Sequence, residues 1–198
     1  MSILDVINSV CDVVSLDQFG SVYGSSDPQA STMLEMAKIG GEEIAGRFDW
    51  KCLEKVSPIE QIPSPLPEDY DRMIDGGAVM SVIGDFYRPV KNPSQWTVIK
   101  RVASVTPFFY LNGQKIEFSP VADAVGGTLT YITKNWIIGS DTKGKTDWSS
   151  DDDTVAFPED LLVLDLIWRW KRQKGLAYDD PLAEFEAALG AATEEDRG

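Results

Sequence analysis

The sequence contains no histidine. That absence removes the commonest general base and the commonest metal ligand. It excludes Ser-His and Cys-His triads and a His-ligated zinc site. Cysteine is nearly absent too. Cys11 and Cys52 are the only two; both stand among apolar residues, and the expectation is a pair of buried free thiols. No apolar run approaches the roughly 20 residues of a membrane helix. The N-terminal "MSILDVINSV" has neither a basic n-region nor a cleavage pattern, which predicts no signal peptide. The expected setting is the cytosol or something assembled there. Basic residues are scarce: 18 Lys and Arg stand against 32 Asp and Glu, a net charge of −14. Ordinary DNA or RNA recognition needs basic surface, so this balance argues against it. An acidic protein can still sit beside DNA if its task is to avoid gripping it.

What is present is a 198-residue chain, 43% hydrophobic and 25% charged, which is globular and long enough to bury a core. Helical spacing over residues 3–14 places Ile3, Ile7, Val10 and Val14 on one stripe. Asp27-Pro28 offers an N-cap and a first-turn proline for a second helix running to about Trp50. Its Gly40-Gly41 pair weakens the helix by about 1 kcal/mol per glycine relative to Ala, so close approach of another helix is the expected gain. Pro58, Pro63, Pro65 and Pro67 then rule out one continuous helix. Residues 69–73 fit a short helical turn. From Ala78 to Ile138, "SQWTVIKRV", "FFYLNGQKIEFSP" and "TLTYITKNWII" are rich in β-branched and aromatic residues and predict four to six mostly antiparallel strands. Asn112-Gly113 predicts a type I′ hairpin. Pro158-Glu159-Asp160 opens a third helix, with Lys171, Arg172 and Lys174 at its end and Gly175 as the residue past it. Asp180-Pro181 starts a fourth, bearing Leu182, Phe185 and Leu189 on one side, and the last residues should fray. The expected class is α+β: a four-helix bundle formed by both chain ends, residues 1–56 and 157–198, with a mostly antiparallel β-rich insertion at 57–156.

One motif suggests chemistry. Gly139–Thr146, "GSDTKGKT", fits the phosphate-loop pattern G-x-x-x-x-G-K-[ST]. A working loop needs a helix beginning at its Gly-Lys-Thr, so that N–H groups and the helix dipole face the phosphates. Here Thr146 is followed by "DWSSDDDTVAFPED", which has no helical periodicity and whose acids repel phosphate. The expectation is a polar hairpin tip, with nucleotide binding only as an alternative. Asp151, Asp152 and Asp153 lack the alternating spacing of a calcium loop and read as a solvated run. No metal, no cofactor and no catalytic set is expected.

The third helix is apolar on most of its circumference, with Asp165, Arg169 and Arg172 on one narrow polar stripe. Such a helix is either core or core that also meets a neighbouring subunit. Trp170→Ala should cost about 3–5 kcal/mol if that ring is core.

"RFDWKCL" at 47–53, "LPEDYDRMI" at 66–74 and "FPEDLLVLDLIWRWKRQKGLAYDDPLAEFEAAL" at 157–189 resemble the head-to-tail adaptor proteins of tailed bacteriophages, also called connector or head-completion proteins and similar to tail tubular protein A. The resemblance implies a structural virion protein with no catalysis. It implies a ring, twelve-membered in the family, below the portal protein and above a tail hub or nozzle protein. Such a ring extends the channel through which double-stranded DNA passes without sequence-specific binding. It implies assembly in the host bacterial cytoplasm, residence in the virion neck, and no membrane. Under it, Leu166, Trp168, Arg169, Trp170, Arg172, Lys174 and Tyr178 are the candidates for a subunit or portal interface. Asp141, Lys143, Lys145 and Trp148 mark a β tip facing the tail or a neighbour. A different reading makes the β region a ligand- or peptide-binding module working through Trp96, Trp136 and Trp148.

Overall fold

The computed structural model describes residues 1–102 and 106–198. The fold is mixed α+β, and the chain divides into two compact units. One joins Met1–Leu53 to Lys134–Gly198; the other is Glu54–Thr133. Residues 134–156, expected in the insertion, belong with the helices.

The helical unit holds α1 (Ile3–Val14), α2 (Pro28–Arg47), α4 (Glu159–Gln173) and α5 (Asp179–Arg197). Ser2 and Asp5 close a capping box on α1, and Asp27 caps α2 ahead of Pro28. The first N–H groups of α1 are satisfied from afar: Ile3 donates to the Asp153 carbonyl at 2.8 Å and Leu4 to that of Asp151 at 3.3 Å. α4 packs against α1, α2 and α5. Gly175 takes φ +69°, and the Leu176 N–H returns to the Lys171 carbonyl at 2.9 Å, a left-handed stop for α4. The last residues, expected to fray, are drawn into α5. Its last turn is helical to Arg197 because Asp196 accepts the Lys51 N–H at 3.0 Å and Arg197 lies over the Phe48 ring. The Gly40-Gly41 pair does admit close neighbours, but only one belongs to a helix. A Cβ on Gly40 would meet Asp165 of α4; one on Gly41 would meet the Trp136 ring. A small sheet, β10–β9–β11 (Gly144–Lys145, Ile137–Ile138, Thr154–Val155), completes the unit.

The β unit carries two sheets. β8 (Thr128–Thr133) pairs with β1 (Glu54–Pro58), β3 (Tyr70–Met73) and β4 (Val79–Met80). The second runs β2 (Ser64–Pro65), β7 (Lys115–Ser119), β6 (Phe108–Asn112), β5 (Arg88–Val90); only β5–β6 is parallel. Val79, Tyr87, Phe109, Ile116 and Leu129 are among its buried core residues. Three expectations need correction. Residues 70–73 are strand, because Tyr70 packs on Tyr131 and the backbone pairs with β8. "SQWTVIKRV" is mostly helix: α3 spans Pro93–Arg101, capped by the Asn92 side chain, with Pro93 in its first turn. That cap-and-proline signal outweighed the β propensity of Trp, Thr, Val and Ile. The 108–119 hairpin turns on Gly113-Gln114, with Asn112 opposite Lys115 and only Gly113 at positive φ, the II′ pattern and not I′.

Cys11 is buried, as expected, but Cys52 is exposed, since the short 3-10 turn at Lys51–Leu53 points Leu53 inward instead.

Candidate functional site

α4 lies in the middle of the helical unit, and Leu161, Leu162, Leu166, Ile167, Trp168 and Trp170 are buried on it. An acid is buried with them. Asp165 is 0% exposed; it accepts from Arg169 Nε at 2.6 Å and from the Trp168 indole N–H at 3.0 Å. Burial pushes the Asp165 carboxyl up from its ordinary range, and Arg169 opposes that shift. Burial also works against charge on Arg169, but its bonds to Asp165 and Glu43 outweigh this and keep it cationic. From Arg169 the charges continue outward. Its second guanidinium arm reaches Glu43, Glu43 pairs with Arg47 at 3.1 Å, and Arg47 holds Glu186 at 2.7 Å. One chain of alternating charge therefore ties α4 to α2 and α2 to α5. Glu43 and Arg47 are spaced i,i+4 with the acid first, a signal visible in the sequence; Glu186 had none.

Leu166, Trp168 and Trp170 are thus enclosed by their own chain. Arg172 and Lys174 are exposed and Tyr178 is half-buried. Lys174 stands over the Trp170 ring, 4.3 Å from its centroid. A groove of about 330 Å³ runs beside α4, lined by Met36, Ile39, Trp168, Arg169, Arg172 and Gln173.

The phosphate-loop look-alike is a hairpin between β9 and β10. No helix begins at Gly144-Lys145-Thr146; the next one along the chain, α4, starts at Glu159. Lys145, the residue that would reach a phosphate, is committed inward: its amine donates to Ser149 Oγ at 2.6 Å and to the Asp153 carboxylate at 3.3 Å. Gly139 gives that amine room, since a Cβ there would lie 2.2 Å from Lys145 Nζ. Asp153 is 0% exposed and also accepts the Ser149 and Ser150 N–H groups. Burial raises its carboxyl and these donors more than reverse the effect, leaving it below the usual range. Asp151 accepts the Ser21 hydroxyl and the N–H groups of Val22 and Tyr23. Two of the three acids at 151–153 are therefore internal acceptors that fasten the α1 N-terminus and the 21–23 segment, and only Asp152 answers to a solvated run. Asp141 and Lys143 are exposed at the tip, whereas Trp148 is buried at 6% exposure, edge-on to Trp136. Among the described residues no cluster of acids or cysteines has the arrangement of a metal site, and no helix is long and apolar enough to cross a membrane.

The three tryptophans suggested for a ligand face do not form one. Trp136 and Trp148 are in the helical unit, Trp96 in the β unit, and all are buried. Trp96 stacks on Tyr110 and donates to Glu117, which also binds Lys100 and Asn112; these donors hold the Glu117 carboxyl down at about 2. The β unit instead has a cavity of about 440 Å³, bounded by Tyr70, Tyr87, Phe109 and Tyr110 with Asp75 and Lys91 among its lining residues. Sequence reading missed it because its walls come from segments well separated along the chain.

No known protein-family profile matches the chain, and no curated protein matches it.

Proposed function

We propose that this protein is a structural component of a tailed-phage virion, a head-to-tail adaptor with no catalytic role. In this reading α1, α2, α4 and α5 act as one four-helix bundle. Copies form a ring, twelve in number, below the portal protein, extend the DNA channel and present a docking surface to a tail hub or nozzle. Double-stranded DNA slides through without sequence-specific contact during assembly and ejection.

The observation that carries the reading is the place of α4. The stretch that resembles the adaptor family includes the helix on which α1, α2 and α5 all pack. Charge supports it as well. The helical unit holds 23 acidic and 11 basic residues, a net −12, and the β unit 9 and 7, a net −2. A lumen faced by the helical unit would repel the DNA backbone. The test is imaging of this protein mixed with the portal from the same genome. A collar of added density with the portal's symmetry is the expected result; a bare portal removes the proposal.

The cavity in the β unit favours a second reading, a ligand- or peptide-binding module. Tyr110 lines the cavity and stacks on Trp96, the only tryptophan between Glu54 and Thr133. Screening small aromatic fragments against Trp96 emission tests it, and unchanged emission counts against it.

A further inference from the structure

Six of the ten exposed large apolar side chains of the β unit lie at one place; Val56, Val98, Val102 and Leu111 are exposed elsewhere on it. β4 leads into a tip at residues 81–85, closed by the Ser81 N–H on the Asp85 carbonyl at 2.8 Å and the Asp85 N–H on Ser81 Oγ at 2.9 Å. The Val82 N–H donates to the Asp123 carbonyl at 3.0 Å, which fastens the tip beside residues 121–127. Met80, Val82, Ile83, Phe86, Val121 and Val125 are all exposed there, and Ile83 at 67% is more exposed than any other large apolar side chain among the described residues. Single exposed apolar side chains are ordinary, but six together mark an interaction surface. Beside them the Asp85 and Asp123 carboxylates make no ion pair among the described residues.

The helical unit offers the converse. The α2–α4 groove is floored by Met36, Ile39 and Trp168 and edged by Arg172, which has no carboxylate partner among the described residues. Lys174 follows just beyond the end of α4, against Trp170 and equally without a carboxylate. In a chain of −14, an unpaired cation at the edge of an apolar groove, with a second over Trp170 on the far side of Gln173, favours an apolar partner with acids on its flank.

We infer that the 81–85 tip of one copy seats in the α2–α4 groove of a second copy, with Ile83 and Phe86 against Met36 and Ile39, and Asp85 and Asp123 facing Arg172 and Lys174. The inference rests on the reading that copies of this chain meet one another, and not on the portal. Charge selects this pairing. Two helical units face to face would oppose −12 with −12, whereas a β unit on a helical unit opposes −2 with −12 and adds local attraction. An anionic lipid surface does not fit, because the tip's own carboxylates would face it. Tip and groove are different surfaces, so the contact is heterologous and can repeat from copy to copy.

Sedimentation velocity on the full chain tests this, with Ile83→Asp breaking the tip and Ile39→Asp breaking the groove. Both side chains are exposed, and circular dichroism checks that each variant folds. The wild type should gain mass with concentration up to about 1 mM, a range that registers even a Kd of about 1 mM. Each variant alone should stay monomeric. Their mixture should give a one-to-one dimer that grows no further, since only one intact tip and one intact groove remain. A wild type monomeric throughout, variants that associate like the wild type, or a mixture that stays monomeric each overturns the inference. Association of the wild type without capture by the portal sinks the adaptor reading and leaves this contact standing. A portal collar of unchanged copy number with Ile83→Asp does the reverse.

Discussion

Lys145 shows how much of a residue's meaning depends on where its charge ends. In the sequence it completes a phosphate-binding pattern; in the fold it neutralises an acid with no exposure to solvent. Lys145→Ala should therefore destabilise the protein by about 1–3 kcal/mol in urea unfolding, less than for a fully buried pair, because Lys145 is partly exposed and Ser149 and Ser150 still donate to Asp153. The same variant should leave calorimetric titration with ATP flat, as for the wild type. Acid titration adds a second expectation. Asp153, Asp151, Asp69 and Glu117 all sit below their ordinary values, Glu117 at about 2. Groups depressed in the folded state add stability that is present above their unfolded values near pH 4 and is lost as pH falls through the folded ones. Asp165 is raised and acts in the opposite sense, but it is one group against these four, and Asp5 and Glu159 are lowered as well. The urea midpoint should fall steadily from pH 5 to pH 2, and Glu117→Gln should flatten the part of that fall followed by Trp96 fluorescence.

Glycines in α2 separate what a helix prefers from what its neighbours allow. Gly46 is exposed, and a Cβ there would meet nothing within 4 Å, so Gly46→Ala should stabilise by about 0.5–1 kcal/mol. Gly41→Ala gains the same propensity but drives a Cβ to 2.1 Å from the ring of Trp136, which is buried and stacked on Phe157. Its expected net effect is a loss of about 1–3 kcal/mol. Thermal unfolding of the two variants side by side reads both signs at once. The helices themselves were legible in the order of residues, because their signals are local: Asp27-Pro28 for α2, the acids and bases at the two ends of α4, Gly175 past it. α3 was legible too, in Asn92-Pro93, but its β-branched residues drew the reading toward strand. The chain of charges from Asp165 to Glu186 was not. It spans three helices, and only its i,i+4 steps leave a mark along the chain. The cavity of the β unit was hidden for the same reason, since its walls come from separate segments; four apolar residues of the tip lie together at 80–86, and what their order does not show is that they are exposed.

At the scale of the whole molecule, the β unit leaves and rejoins the chain at paired residues, Glu54 standing opposite Ile132 on adjacent strands. Residues 54–133 produced alone should accordingly fold cooperatively, with Trp96 as a clean reporter and amide exchange showing protected β1 and β8; a chain that stays unstructured would contradict the division into units. The same pairing bears on the order of events in folding. α1 and α2 must find α4 and α5 across a loop of some 80 residues, and closing a flexible loop of that length costs about 4 kcal/mol by the (3/2)RT ln n rule. Once β1 and β8 are zipped together that loop has already been closed, and the two halves of the helical unit are delivered to each other as near neighbours. The β unit is then an internal folding template. Slowing its formation should delay the helices behind it, while the helices should have no comparable hold on the rate at which the β unit forms.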